Sequence, residues 1–308
     1  MGVTDPAGSR VGYRVAEAVD EPRHSAQVRT MRVRSASAPA GDRTLNEDLV
    51  FQVGPLVGVL DGATVPEGFD TGCVHSPSWY VRHLAARLAV AEATRPAATL
   101  VSNLAAAILA VRADHGGGCD LAHPGALSST VCLLRDGGDQ VDWLVLCDSP
   151  LVLDTGDQVT VVTDDRLDAA MADLRATVEE IPVGAGDPTT RFRHAVNLQR
   201  QRMNRTHGYW VAAADPDAAY HALTGTVPLR GPGALRRAAL LSDGVSAVVD
   251  QFGLLDWAGL LDVATVEGPQ ALVGRVRAAE RDHADRLRRY KSADDASVVL
   301  CEFGDSGA

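Results

Sequence analysis

Short apolar runs that stop at an aspartate constrain this chain more than any other feature. The aspartates that directly follow such runs are Asp61, Asp148 and Asp243, and Asp294 stands just before a fourth run at 297–300. A carboxylate beside a buried strand is costly unless a cation or hydrogen bonds compensate its charge. If these strand ends converge, they form an all-oxygen pocket suited to Mg²⁺ or Mn²⁺. Each Asp-Gly alone is read first as an ordinary turn.

The periodicity between these aspartates predicts an α+β protein with packed sheets and helices outside them. Strand patterns cover residues 30–35, 48–53, 56–60, 129–135, 141–147, 151–154, 158–163, 209–213, 238–241 and 296–303. Helical patterns cover residues 78–94, 99–113, 166–181, 189–205, 254–264 and 269–290. The turns between 129 and 163 predict an antiparallel meander, and the Pro/Gly-rich stretch 224–233 predicts a connection.

Length and composition indicate a globular protein with one domain at 28–304, preceded by an extension or edge strand at 1–27. Hydrophobic residues make up 46% of the 308 residues, which is ordinary for a packed domain. The net charge of -11 argues against nucleic acid and anionic membranes as partners. No apolar run reaches the roughly 18 residues of a membrane span. The five cysteines have no C-x-x-C spacing, so we expect buried free thiols and a cytoplasmic location.

Six short motifs, taken in chain order, carry a family resemblance. They are RTLNED at 43–48, VLDG at 59–62, SST at 128–130, CDS at 147–149, LSDG at 241–244 and DDASV at 294–298. The series is similar to the type 2C family of metal-dependent protein serine/threonine phosphatases, over roughly residues 30–303. This resemblance implies two antiparallel β-sheets packed face to face and flanked on each outer face by α-helices, a four-layer αββα arrangement.

The resemblance also implies a two-metal site for Mg²⁺ or Mn²⁺. Asp61 would bridge the two ions, with the Gly62 carbonyl as a further ligand. Asp243 and Asp294 would complete the coordination of one ion, and Glu47 would hold the other ion through water.

Three further residues receive roles from the same resemblance. Asp48 would orient the metal-bound waters, and Asp148 would hold a third metal. Arg43 would bind the substrate phosphate, a task that suits the planar guanidinium fork.

Several positions depart from the family pattern. Ala63 stands where the family often has histidine or methionine, which leaves no histidine there to protonate the leaving group. His75 is a substitute for that role, although a solvated loop histidine is the more ordinary interpretation. Asp295 stands where asparagine is usual. The arginines at 191–205 are read as a solvated helix face or as a dock for an acidic partner.

The resulting expectation is an enzyme, a phosphoric monoester hydrolase. Its substrate would be phosphoserine or phosphothreonine in proteins, attacked by a metal-activated water without a covalent intermediate. One alternative keeps this chemistry for a small phosphorylated metabolite. The other is a non-catalytic binding module, against which stands the retention of so many mutually repelling carboxylates.

Overall fold

Two five-stranded antiparallel sheets form the centre of the protein. The computed structural model describes residues 29–41, 44–65, 68–179, 196–282 and 293–305. In spatial order the first sheet contains β2 (Asp48–Val53), β3 (Leu56–Gly62), β4 (Ser129–Asp136), β5 (Gln140–Leu146) and β8 (Leu223–Pro228). The second contains β1 (Arg29–Ala38), β10 (Ala296–Asp305), β9 (Arg237–Leu241), β6 (Leu151–Asp154) and β7 (Val159–Val162).

Helices cover the outer face of each sheet. On the first sheet lie α1 (Pro77–Thr94) and α2 (Leu100–Asp114); on the second lie α4 (Asp243–Asp250), α5 (Trp257–Val266) and α6 (Pro269–Asp282). A separate helix, α3 (Arg166–Glu179), follows β7. The expected α+β sandwich with flanking helices, αββα, is therefore confirmed. Within the described ranges, no helix combines the length and apolar character needed to cross a bilayer.

The alternation of side chains along β3 explains how an apolar run can place an acid at the centre. Val57 and Val59 face the second sheet, whereas Leu56 and Leu60 face the α1–α2 layer. Because successive side chains of a strand point to opposite faces, Asp61 shares the face of Val57 and Val59. The strand therefore delivers its terminal carboxylate to the space between the two sheets.

Most elements lie within a few residues of their predicted positions, and β2 and β6 match their predicted bounds. The predicted meander is wrong, because β4 and β5 belong to the first sheet while β6 and β7 belong to the second. The chain changes sheets just after Cys147, which has a left-handed φ of 72°. The predicted connection at 224–233 is also wrong, because it contains most of β8, which pairs with β5.

Other differences concern local structure. Helix α4, which begins at Asp243, had no counterpart in the sequence pattern. The predicted strand at 209–213 forms only isolated bridges, to Ser129 and Met203. Of the predicted helix at 189–205, residues 196–200 are helical and 201–205 are not, while 189–195 lie outside the described residues. The extension at 1–27 lies outside them as well.

Candidate active site

A cleft of about 320 Å³ opens where strand ends of the two sheets meet. Its acidic lining residues are Asp61 at the end of β3, Asp148 after β5, Asp243 at the start of α4 and Asp294 before β10. These are the four aspartates that the sequence places at the ends of apolar runs. The structure thus brings together groups that lie up to 233 positions apart in the chain.

The residue after Asp61, Gly62, packs closely against the backbone of Glu47 beside the cleft. The Gly62 N–H donates to the Glu47 carbonyl at 3.0 Å. A side chain at Gly62 would place its Cβ only 2.7 Å from that oxygen, so glycine is needed for this close approach. The Glu47 carboxylate accepts a hydrogen bond from the Thr64 hydroxyl at 2.7 Å. Glu47 therefore has its backbone and side chain fixed beside the cleft.

The electrostatic environment of Asp61 shows that the acids interact. Burial raises the pKa of Asp61 well above its usual range, and the negative charges of Asp48, Asp243, Asp294 and Asp148 raise it further. Each neighbour penalises the ionised form because like charges repel in a poorly solvated site. Without cations, the cleft is thus an unfavourable place for its own carboxylates to ionise.

Asp48 lies opposite Asp61 on the neighbouring strand and is 5% exposed. Burial raises its pKa to about 7, an effect opposed by the hydroxyls of Ser242 and Ser297 and reinforced by nearby acids. Among the described residues, no group makes a hydrogen bond of ordinary geometry with either carboxylate oxygen. A buried carboxylate in this state is costly, and ordered water on a nearby cation would relieve that cost.

The close packing of Gly244 against the start of β10 brings Asp243 and Asp294 together. A Cβ at Gly244 would lie 1.9 Å from the Asp295 carbonyl oxygen, so no side chain fits there. Asp294 is also anchored from behind, since its N–H donates to Glu280 at 3.3 Å. Glu280 in turn accepts from Arg277 at 2.7 Å.

Asp295 is a positioning residue that sequence reasoning missed. Its two carboxylate oxygens accept the backbone N–H groups of Ala40 and Glu47, each at 2.6 Å. It is 3% exposed and ties β10 to the loop before β2. The one signal in the sequence was that aspartate replaces the usual asparagine. Asparagine could accept a hydrogen bond only through its amide oxygen, whereas both oxygens of an aspartate accept.

Arg200 is a second residue that sequence reasoning missed, because it was grouped with a solvated basic face. It lines the cleft, is 6% exposed, and donates to the carbonyls of Gly125 at 3.1 Å and Ala126 at 3.0 Å. A longer contact of 3.5 Å reaches the Thr64 carbonyl. Arg200 therefore joins the two loops that flank the cleft. Arg43, the expected phosphate ligand, lies outside the described residues.

Asp148, which also lines the cleft, has a second set of acidic neighbours. Burial raises its pKa, and the charges of Asp168 and Asp164 add to this, while the Cys147 thiol partly opposes it. Asp164 is itself paired with Arg166 at 2.5 Å. His75 is not among the residues that line the cleft; its ring instead stacks on Trp79 at 3.9 Å.

The sequence matches no protein-family model and no curated protein, but solved structures match over most of the chain. The PPM Ser-Thr phosphatase MsPP from Mycobacterium smegmatis, in complex with cacodylate, is 20% identical, with a TM-score of 0.52 and coverage of 89% of this chain and 98% of its own. The PstP catalytic domain, in complex with two manganese ions, is 17% identical, with a TM-score of 0.56 and coverage of 89% and 99%. The chain has the PPM phosphatase fold.

A third PPM-like match extends the comparison to another bacterial enzyme. The serine/threonine phosphatase of S. agalactiae is 14% identical, with a TM-score of 0.55 over 89% of this chain and 99% of its own. At this level of identity, the likeness establishes the fold alone.

Proposed function

We propose that this chain is a metal-dependent phosphatase that hydrolyses phosphomonoesters, with phosphoserine and phosphothreonine in proteins as its substrates. The convergence of Asp61, Asp148, Asp243 and Asp294 on one cleft carries the proposal. The PPM fold supports it, because the matched structures are named as serine/threonine phosphatases. Residues 28–304 would act as a single catalytic domain.

The donor atoms of the cleft fit hard divalent cations. Among the described lining residues, the anionic groups are the carboxylates of Asp61, Asp148, Asp243 and Asp294, and Mg²⁺ and Mn²⁺ prefer such oxygen ligands. The buried carboxylate of Asp48 makes no hydrogen bond of ordinary geometry, and ordered water near a cation would compensate it. Asp61, the Gly62 carbonyl, Asp243 and Asp294 would hold two ions directly, and Glu47 would hold them through water. Asp148 would hold a third.

Bound cations would supply the positive charge that lowers the pKa of a water molecule and offsets the charge of the phosphate. The protein's own residues keep the ligands in place. Thr64 and Asp295 fix Glu47, and the side-chain-free contact at Gly244 fixes Asp243 against the start of β10. Asp48 would accept hydrogen bonds from water, and Arg43 would bind the phosphate oxygens.

Direct attack by water also agrees with the state of the Cys147 thiol, which lines the cleft. Burial raises the pKa of Cys147 well above its usual range, and Asp148 raises it further. A thiol that stays protonated is a poor nucleophile. Among the described residues that line the cleft, none is an activated cysteine that could form a covalent intermediate.

The first experiment measures hydrolysis of para-nitrophenyl phosphate with Mn²⁺, with chelator, and after Asp61→Asn. We expect activity that depends on Mn²⁺ and that Asp61→Asn lowers by roughly 10²–10³-fold, the scale for losing one preorganised electrostatic group. The matched control is Asp157→Asn, the same chemical change at an exposed turn, which should leave activity unchanged. Turnover that is absent or independent of metal in the wild-type protein would refute the proposal.

The second experiment decides the substrate class. Turnover of a phosphothreonine peptide is compared with turnover of a panel of phosphorylated metabolites under the same Mn²⁺ concentration. A higher kcat/KM for the peptide supports the protein-phosphatase assignment. A preference for one metabolite replaces that assignment while keeping the metal chemistry.

A further inference from the structure

A second cluster of metal-binding side chains lies outside the acidic cleft. Cys73, His75, His115 and Cys119 place one ligand atom each within 4.8 Å of all the others. The Cys73 sulfur lies 2.8 Å from the Cys119 sulfur and 3.5 Å from Nδ1 of His115. None of the four lines the cleft.

This cluster corrects the sequence-based interpretation of the cysteines. Cys132, Cys147 and Cys301 are buried thiols, as expected. Cys73 and Cys119 are only partly buried and contact each other, although 46 positions separate them. Their spacing matches no short metal-binding motif, so the sequence did not reveal them as a pair.

The four residues come from two segments that lack regular structure. Cys73 and His75 lie in the connection between β3 and α1, while His115 and Cys119 begin the connection between α2 and β4. The two segments also meet through their backbones, since the Asp120 N–H donates to the Gly72 carbonyl at 2.7 Å. Long irregular connections of this kind need some stabilising feature to stay ordered in a compact domain.

We propose that Cys73, His75, His115 and Cys119 form a structural zinc site. Two thiolates and two imidazoles are a donor set that selects Zn²⁺, which is bound in tetrahedral geometry. With Zn–S near 2.3 Å and Zn–N near 2.0–2.1 Å, the ligand atoms should be about 3.3–3.8 Å apart. The two sulfurs lie closer than this, at 2.8 Å, and all four ligand atoms lie within 4.8 Å of one another, so shifts of about 1 Å complete the tetrahedron.

Surrounding aromatic contacts hold the imidazoles toward the sulfurs. The Trp79 indole stacks flat on His75, with ring centroids 3.9 Å apart and an interplanar angle of 7°. The same indole meets His115 edge-on at 4.7 Å, and His115 is 7% exposed. A disulfide between Cys73 and Cys119 would use the sulfurs but would not require two histidines directed at them.

The location of this zinc site gives it a structural role. Four protein ligands leave no open coordination position for a substrate. The two connections that it joins continue to Gly62 on one side and to Ser128 on the other, and both of these residues line the cleft. Arg200 joins the same connections near the cleft, through Thr64 on one and through Gly125 and Ala126 on the other. Zinc would join them at the other end.

The test measures zinc in the full chain, produced without a polyhistidine tag, purified in reductant and dialysed against limiting Zn²⁺. Elemental analysis should find about one tightly held zinc per chain. Cys119→Ala should lower the zinc content at least tenfold. The matched control, Cys301→Ala, removes a buried thiol outside the cluster and should retain the metal. Asp61→Asn should also retain it, since the proposed zinc site is separate from the acidic cleft.

A spectroscopic measurement on the unmutated chain keeps the test decisive if Cys119→Ala fails to fold. Replacement of Zn²⁺ by Co²⁺ should give the strong visible absorption of tetrahedral thiolate coordination. Reduced wild-type protein that takes up no zinc, or Co²⁺ without this absorption, would overturn the proposal. So would zinc that is retained by Cys119→Ala and lost from Asp61→Asn, or a Cys73–Cys119 disulfide in a chain whose reduced form binds no zinc.

Discussion

The contact at Gly244 allows a sharp test of how the acidic cleft is positioned. In the Gly244→Ala protein, the new Cβ would start 1.9 Å from the Asp295 carbonyl oxygen and 3.3 Å from the Ala296 Cα. Contacts of this kind are essentially never shorter than 3.0 Å, so α4 and the start of β10 must separate by at least about 1.1 Å. The atom in the way belongs to the backbone, which cannot rotate aside as a flexible side chain would.

The separation should affect stability and catalysis together. Overpacking of this size costs about 1–3 kcal/mol, and Asp295 transmits the shift to Ala40 and Glu47 through two hydrogen bonds of 2.6 Å. Misplacement of catalytic groups by about 1 Å costs roughly 10²-fold in rate. We therefore expect Gly244→Ala to lower kcat/KM for para-nitrophenyl phosphate by about that factor, even at saturating Mn²⁺ and at temperatures where the protein is folded.

The matched control for this variant is Gly274→Ala in α6. A Cβ at Gly274 would meet no atom within 4 Å, and alanine is favoured over glycine in a helix by about 1 kcal/mol. Urea unfolding should show this control to be at least as stable as the wild type, with unchanged activity. If Gly244→Ala also kept wild-type stability and kcat/KM, the close contact would not position Asp243, and the reasoning would be refuted.

Three further changes test other parts of the same site. With chelator present, stability should fall as pH rises from about 4 to about 7. Folding raises the pKa of Asp48 from 3.8 to about 7, so in this window the unfolded state loses a proton that the folded state keeps. Asp48→Asn should flatten this part of the profile of thermal unfolding against pH, and an unchanged profile would contradict the assignment. Asp295→Ala should lower the free energy of unfolding by about 1–3 kcal/mol for each of the two backbone N–H groups left without an acceptor. It should also raise the Mn²⁺ concentration needed for half-maximal activity. Loss of stability with unchanged Mn²⁺ dependence would limit Asp295 to a structural role. Arg200→Lys should lower the free energy of unfolding by about 1–3 kcal/mol, because an ammonium group cannot span the same carbonyls as a guanidinium; an unchanged urea midpoint would show that these contacts contribute little.

The parts of the fold that could be predicted are those encoded by local patterns. Short β-type runs bounded by turn residues define β2 and β6 to the residue, and apolar spacing places α1 and α2 within one residue at either end. The sheet to which a strand belongs is not local information. The change of sheet at Cys147 occurs at a non-glycine residue with positive φ, and nothing in the turn residues marks it.

The same distinction separates the predicted site residues from the missed ones. Aspartates at strand ends are visible as a repeated local pattern, which is why Asp61, Asp148, Asp243 and Asp294 could be selected before the structure was known. Asp295 makes its contacts with residues 255 and 248 positions away. Arg200, 6% exposed, was hidden in a basic segment whose neighbours suggested a solvated face. Contacts of this range follow from the assembled fold and cannot be derived from spacing.

The buried acids Asp154 and Asp164, which lie outside the cleft, differ from Asp48 in their partners. Asp154 and Asp164 are also buried, and each is paired with an arginine: Arg237 at 2.6 Å and Arg166 at 2.5 Å. Asp48 is buried to the same degree, yet among the described residues no arginine pairs with it and no group makes a hydrogen bond of ordinary geometry with its oxygens. It lies opposite Asp61, another carboxylate, on the neighbouring strand. Like charges directly opposite each other destabilise a sheet. A non-catalytic protein that only bound a partner through its surface would be more stable with asparagine in place of Asp48. The presence of the acid at this position therefore argues for bound cations.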